Sequence, residues 1–75
     1  MEISKAFGTV LRKHRKLAGL SQEQLALQCD LDRTFIGLLE RGQRQPSITT
    51  IFIICGVLKI MPHELIKEVE SLCVI

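Results

Sequence analysis

The sequence predicts an all-α fold of five short helices. Three observations carry that expectation. Ser21 and Gln24 stand three apart ahead of an apolar run, the signature of a capping box that opens a helix. Apolar residues recur at helical spacing in the first segment, from Ile3 to Ala18, and in the last, from Leu65 to Cys73. The one strongly β-branched run, IFIIC at 51–55, has no second strand-like segment to pair with, so as a strand it would leave backbone groups unsatisfied.

Each element follows from its neighbours in the chain. Ile3, Phe7, Val10, Leu11, Leu17 and Ala18 predict an amphipathic first helix over Ser4 to Ala18, stopped by Gly19, with Arg12, Lys13 and Lys16 on its polar face. The second helix runs from Gln22 to Cys29 and turns Leu25, Ala26 and Cys29 inward. Asp30 sits at a tight reversal, Leu31 plugs the turn, and Asp32 caps a third helix from Arg33 to Arg41 that Gly42 ends. Ser47 after Pro46 opens a fourth helix reaching Leu58 or Lys59, with Ile51, Phe52, Ile54, Cys55 and Leu58 expected in the core. Pro62 at a first-turn position opens the fifth, which ends near Leu72.

Helices 2 and 3 are two short rods at a fixed angle. Ile36 and Leu39 share the inner face of the third, leaving a polar, basic tip outside. The stretches LRKHRKLAGLSQEQLA, DRTFIGLLERG and PSITTI follow one another in an order and spacing that resembles the Cro/repressor-type helix-turn-helix (XRE) family, over roughly residues 7 to 66. The resemblance implies a compact repressor-like DNA-binding domain and a sequence-specific transcriptional regulator of double-stranded DNA. Two positions depart from the family pattern: Asp30 and Lys59 stand where Gly is usual. Asp tolerates the left-handed conformation better than most residues, so the turn should survive with some strain.

Composition sets bounds. The 75 residues are expected to form one domain, and a chain of that length buries only about 60% of its unfolded surface, so an oligomer interface would help it. Net charge is +2, but residues 1–45 carry +3 and residues 46–75 carry −1, so the basic side coincides with helices 2 and 3. Cys29, Cys55 and Cys73 form neither a metal pattern nor an even disulfide framework, which fits a reducing cytoplasm. No targeting pattern is evident and the apolar run from Ile51 to Leu58 is too short to span a bilayer, so a soluble chain without a membrane partner is expected. His14 and His63 lack partners at ligand spacing, no nucleophile has a base arranged for it, and no Gly-rich loop cradles a phosphate. No metal, no cofactor and no enzyme activity are therefore expected.

At the start of a recognition helix, Arg33 and Thr34 project toward base edges. An Arg there can take guanine O6 and N7 together, and a Thr can bond a base or touch a thymine methyl. Gly37 and Leu38 complete the expected base-contacting set. Gly37 either permits close backbone approach or is a plain helix weakness costing about 1 kcal/mol, and Leu38 either presses on a thymine methyl or is a tolerated apolar residue. Gln22 stands at a helix N-terminus that favours phosphate, and the resemblance implies a backbone clamp there and a phosphate-contacting loop at Gln43, Arg44 and Gln45; Phe35 and Arg41 join these expected phosphate contacts, although Phe35 also reads as a boundary packing residue. Arg12, Lys13 and Lys16 read as a solvated face, with contact at the edge of the DNA footprint as the alternative. The resemblance further implies a structural ion pair between Arg15 and Glu40.

Helix 4 is apolar all round and helix 5 adds a wide apolar stripe, which together exceed what one small domain can bury. The expected outcome is a two-fold homodimer through Ile53, Val57, Ile60, Val69, Leu72 and Cys73, placing two recognition helices about 34 Å apart on a two-fold-symmetric operator. Among roles in the family, a restriction-modification controller fits the DRTFIGLLERG stretch and the small size, with a phage-type repressor or an antitoxin as alternatives. Regulation would come from covering a promoter or touching RNA polymerase from an adjacent site. The alternative of another class is a protein-interaction module that docks a partner on helix 4 and leaves the basic face idle.

Overall fold

The structure is a computed structural model and describes residues 1–73. Five helices follow in order: α1 (Ile3–Leu17), α2 (Gln22–Cys29), α3 (Arg33–Glu40), α4 (Ile48–Leu58) and α5 (Pro62–Leu72), with no strand among the described residues. α1 packs on α3 and α5, α2 on α3 and α4, and α4 on α5. The shared core is built on the fully buried Leu11, Leu25, Ile36, Leu39, Ile54 and Leu65.

Local chemistry fixes the ends of each helix. Ser21 Oγ accepts from the Gln24 amide (3.0 Å) while Gln24 Oε1 accepts from the Ser21 amide (2.8 Å), closing both halves of the capping box. Asp30 takes the left-handed conformation (φ 56°, ψ 43°), and the Leu31 amide returns to the Ala26 carbonyl at 2.9 Å. Asp32 Oδ1 then accepts from the Thr34 amide to start α3. Gly42, at φ 72°, ends it, and a side chain there would collide with the Lys5 backbone. Ser47 caps α4, and Lys59 closes it in the left-handed region at φ 59°.

Four boundaries differ from the sequence reading. α1 begins at Ile3 because the Glu2 carboxylate accepts from the Lys5 amide, and it ends at Leu17 with Ala18 as its cap. Ser47 is likewise the cap of α4 and not its first turn, and Arg41 caps α3. Packing differs too. Ile3 and Leu17 are 65% and 74% exposed because they lie at the two ends of α1, outside the stretch from Ser4 to Arg15 that holds its buried residues. Phe52, expected inside, is 60% exposed. α4 is apolar on every side, so its sequence carries no phase that tells the inward face from the outward one.

α1 and α3 touch backbone to backbone. A Cβ on Gly8 would fall 2.5 Å from the Glu40 carbonyl oxygen and closer still to that of Leu39, so only glycine permits this approach. No single helix among the described residues is long and apolar enough to cross a membrane.

Candidate nucleic-acid interface

The outer face of α3 carries Arg33, Thr34, Gly37 and Arg41, which recur at about one-turn intervals and therefore line one side of the helix. Together with Gln22 from the first turn of α2 they bound an open polar recess of about 200 Å³. Arg33, Thr34 and Arg41 are exposed, whereas Gly37 is buried and forms the floor. A methyl at position 37 would lie 3.1 Å from Arg41 Nη1 and 3.6 Å from Gln22 Oε1, so its absence lets both side chains close over the helix. Leu38 lies outside this recess and is half-buried, with its carbonyl accepting from the Gln43 amide at 2.9 Å.

Beneath the recess, Arg15 holds Glu40. Arg15 Nε donates to Glu40 Oε2 at 2.6 Å, Nη2 to Oε1 at 3.0 Å, and Nη1 to the Leu20 carbonyl at 2.8 Å. The pair is largely dry, with side chains 10% and 3% exposed. Hydrogen bonding to Glu40 raises the Arg15 pKa further, outweighing burial, which acts the other way. Glu40 Oε1 also accepts from Gln22 Nε2 at 3.0 Å. One amide N–H of Gln22 is thus committed inside the protein, and its carbonyl oxygen is the end that borders the recess. Sequence reasoning did not anticipate this third partner; the only available signal was the polar residue at the start of α2, which by itself names no partner.

The loop after α3 brings Gln43, Arg44 and Gln45 to the surface, all exposed. Phe35 is half-buried against the core, and the Arg44 guanidinium carbon sits 5.8 Å from its ring centroid. Lys13 is engaged elsewhere: its Nζ, with His14 Nε2 at 3.0 Å, meets the Glu68 carboxylate on α5, a link between α1 and α5 that the sequence reading missed. Arg12 and Lys16 are exposed.

The expected dimer residues separate into three groups by exposure. Ile53 and Leu72 are exposed, at 41% and 37%. Val57, Ile60 and Cys73 are half-buried and lean on the protomer's own core. Val69 must be corrected: at 7% exposure it is a core residue, because α5 turns Leu65 and Val69, one turn apart, into the bundle. The exposed apolar surface lies one face over, where Ile48, Ile51, Phe52, Pro62, His63 and Ile66 line a shallow cavity of about 430 Å³ between α4 and α5. Cys29 and Cys55 are buried and unpaired, and burial pushes both thiols up, away from the reactive thiolate. Among the described residues no His, Cys, Asp and Glu side chains gather as a metal site.

Comparison with known proteins places this geometry. A family profile described as helix-turn-helix matches residues 11–65, which include α2, the turn and α3. The chain belongs to the helix-turn-helix family of the XRE type. It is similar to control protein C.MunI of Mycoplasma sp, with 40% identity over 71 residues, 93% of this chain and 96% of that one. Restriction-modification controller protein C.AhdI from Aeromonas hydrophila superposes with a TM-score of 0.80 at 45% identity, over 83% of this chain and 94% of its own. Controller protein C.Esp1396I, solved as a tetramer in complex with its natural 35 base-pair operator, gives a TM-score of 0.79 at 33% identity, over 92% of this chain and 96% of that one. The all-α, five-helix expectation and the family expectation both hold.

Proposed function

We propose that the protein is a sequence-specific regulator of transcription, a restriction-modification controller-type homodimer that binds a two-fold-symmetric DNA operator. The observation that carries the reading is the recess on α3: two arginines, a threonine and the Gln22 carboxamide converge on one exposed helix face that Arg15 and Glu40 hold against α1. The likeness to controllers, one of them solved on its operator, supports it.

In this reading Arg33 and Thr34 read base edges, the missing side chain of Gly37 lets the helix approach closely, and Leu38 meets a thymine methyl at the rim. Arg41, Gln43, Arg44, Gln45 and the N-terminus of α2 grip phosphates and set the register. The second subunit docks on the exposed apolar face of α4 and α5, through Ile48, Phe52, Ile53, Met61 and Ile66, with Leu72 at the edge. Regulation comes from occupancy in the cytoplasm, without catalysis or cofactor: the dimer covers a promoter or presents a surface to RNA polymerase beside it. Selection from a random duplex pool tests the reading. Enrichment of a site with two-fold symmetry is the expected result, and binding without sequence preference would overturn it.

A further inference from the structure

The Arg44 guanidinium rests over the Phe35 ring at 5.8 Å, and from this relationship we propose that Phe35 is a positioning residue whose role in DNA binding is to preset Arg44 as a phosphate clamp. The inference rests on the DNA-binding reading. Phe35 is half-buried and packs on the core, so its ring is a fixed platform on the flank of the recognition helix. Arg44 lies on the exposed loop between α3 and α4. Backbone hydrogen bonds pin that loop at its start, where the Gly42 and Gln43 amides return to the Leu39 and Leu38 carbonyls. Ser47 pins its end by capping α4. Between those points Arg44 enters no ion pair and no side-chain hydrogen bond among the described residues, and the ring is the contact that holds it.

A cation over an aromatic face is attracted to the ring quadrupole, and at an exposed site the effect corresponds to roughly a two- to fivefold change in an equilibrium constant. That gain is made before DNA arrives. An arginine already confined near its bound position loses less freedom on meeting a phosphate, so the ring raises affinity without touching the duplex.

The proposal separates from direct base contact by Phe35 in a double-mutant cycle. Phe35→Leu keeps an apolar side chain on the core and removes the ring; Phe35→Tyr keeps the ring and serves as the folding-safe variant. The expected result is a roughly two- to fivefold loss of affinity for all duplexes in Phe35→Leu, no loss in Phe35→Tyr, and no further loss when Phe35→Leu is added to Arg44→Ala. NMR of the free native protein should also show the Arg44 side-chain resonances shifted upfield by the ring current and released in Phe35→Leu, a readout that needs no DNA. Additive losses, altered sequence preference in Phe35→Leu, or unshifted Arg44 resonances would each overturn the positioning role while leaving DNA binding intact. A native protein that binds no duplex overturns the functional reading itself.

Discussion

The Glu40 carboxylate accepts from Arg15 across a 25-residue separation, through Nε at 2.6 Å and Nη2 at 3.0 Å, with both side chains almost out of solvent. Removing either partner strands the other charge in a dry setting. Glu40→Ala should therefore cost about 3 kcal/mol or more, which in a domain of this size lowers Tm by roughly 12 to 24 °C. Thermal unfolding followed by circular dichroism measures it, and an unchanged Tm in a well-folded variant contradicts the pairing energetics.

Glu68 gives stability a pH dependence. The hydrogen bond from Lys13 holds its carboxyl below the usual range, His14 adds to this, and burial opposes both. Because the folded pKa is depressed, the contribution is complete above the unfolded value of about 4.3 and is lost as pH falls through the folded value. Wild type should exceed Glu68→Gln in stability at pH 6, and the two should converge at a pH below the depressed folded value. Urea titrations at both pH values check the convergence; a constant gap means Glu68 acts through packing alone.

Arg33→Ala and Arg44→Ala should fail differently. In the proposed reading loss of Arg33 removes direct readout, so operator affinity should drop by about 1 to 3 kcal/mol per half-site while nonspecific binding should change much less. Loss of Arg44 weakens every duplex alike and flattens the slope of log affinity against log salt by about 0.9 for each phosphate that is no longer neutralised. Fluorescence anisotropy on specific and scrambled duplexes across a salt series separates the two patterns.

Phe52→Asp places a charge on a surface that is 60% exposed in the protomer, so the fold should persist while the proposed dimer dissociates. Val69→Asp buries that charge in the core and should unfold the chain. Sedimentation equilibrium paired with circular dichroism distinguishes these outcomes, and a Phe52→Asp variant that stays dimeric excludes this face.

Lys59 adopts φ 59° without being glycine. Left-handed backbone costs an ordinary residue about 1 to 2 kcal/mol, part of which glycine returns through its freer unfolded chain. Lys59→Gly should stabilise the protein by about 0.5 to 1 kcal/mol, read from urea midpoints. A lower midpoint would show that the lysine side chain makes up for its backbone.

Local signals in the chain define most of this fold. The bounds of α2 and α5 follow from a capping box and a first-turn proline, both readable within four residues. What the sequence hides depends on three-dimensional phase. α4 offers apolar residues in every direction, so nothing in it distinguishes the exposed Phe52 from the buried Ile54. Val69 reads as surplus apolar stripe until the other helices surround it. At the candidate interface, Arg33, Thr34 and Arg41 are legible from their place in the motif, whereas the bond from Gln22 to Glu40 and the clasp of Lys13 and His14 on Glu68 join residues 18 to 55 positions apart. No local pattern encodes them.

The contact of Gly8 with the Leu39 and Glu40 carbonyls, followed two turns on by the Arg15 pair, leaves the reading head without a soft joint against α1. In the proposed DNA complex a stiff head would not tilt to suit an imperfect groove, so the duplex is expected to supply the adjustment. In the proposed reading, base pairs that no side chain reaches should then matter through their flexibility, and operators with easily deformed pyrimidine–purine steps between the half-sites should gain over stiff ones of identical half-site sequence.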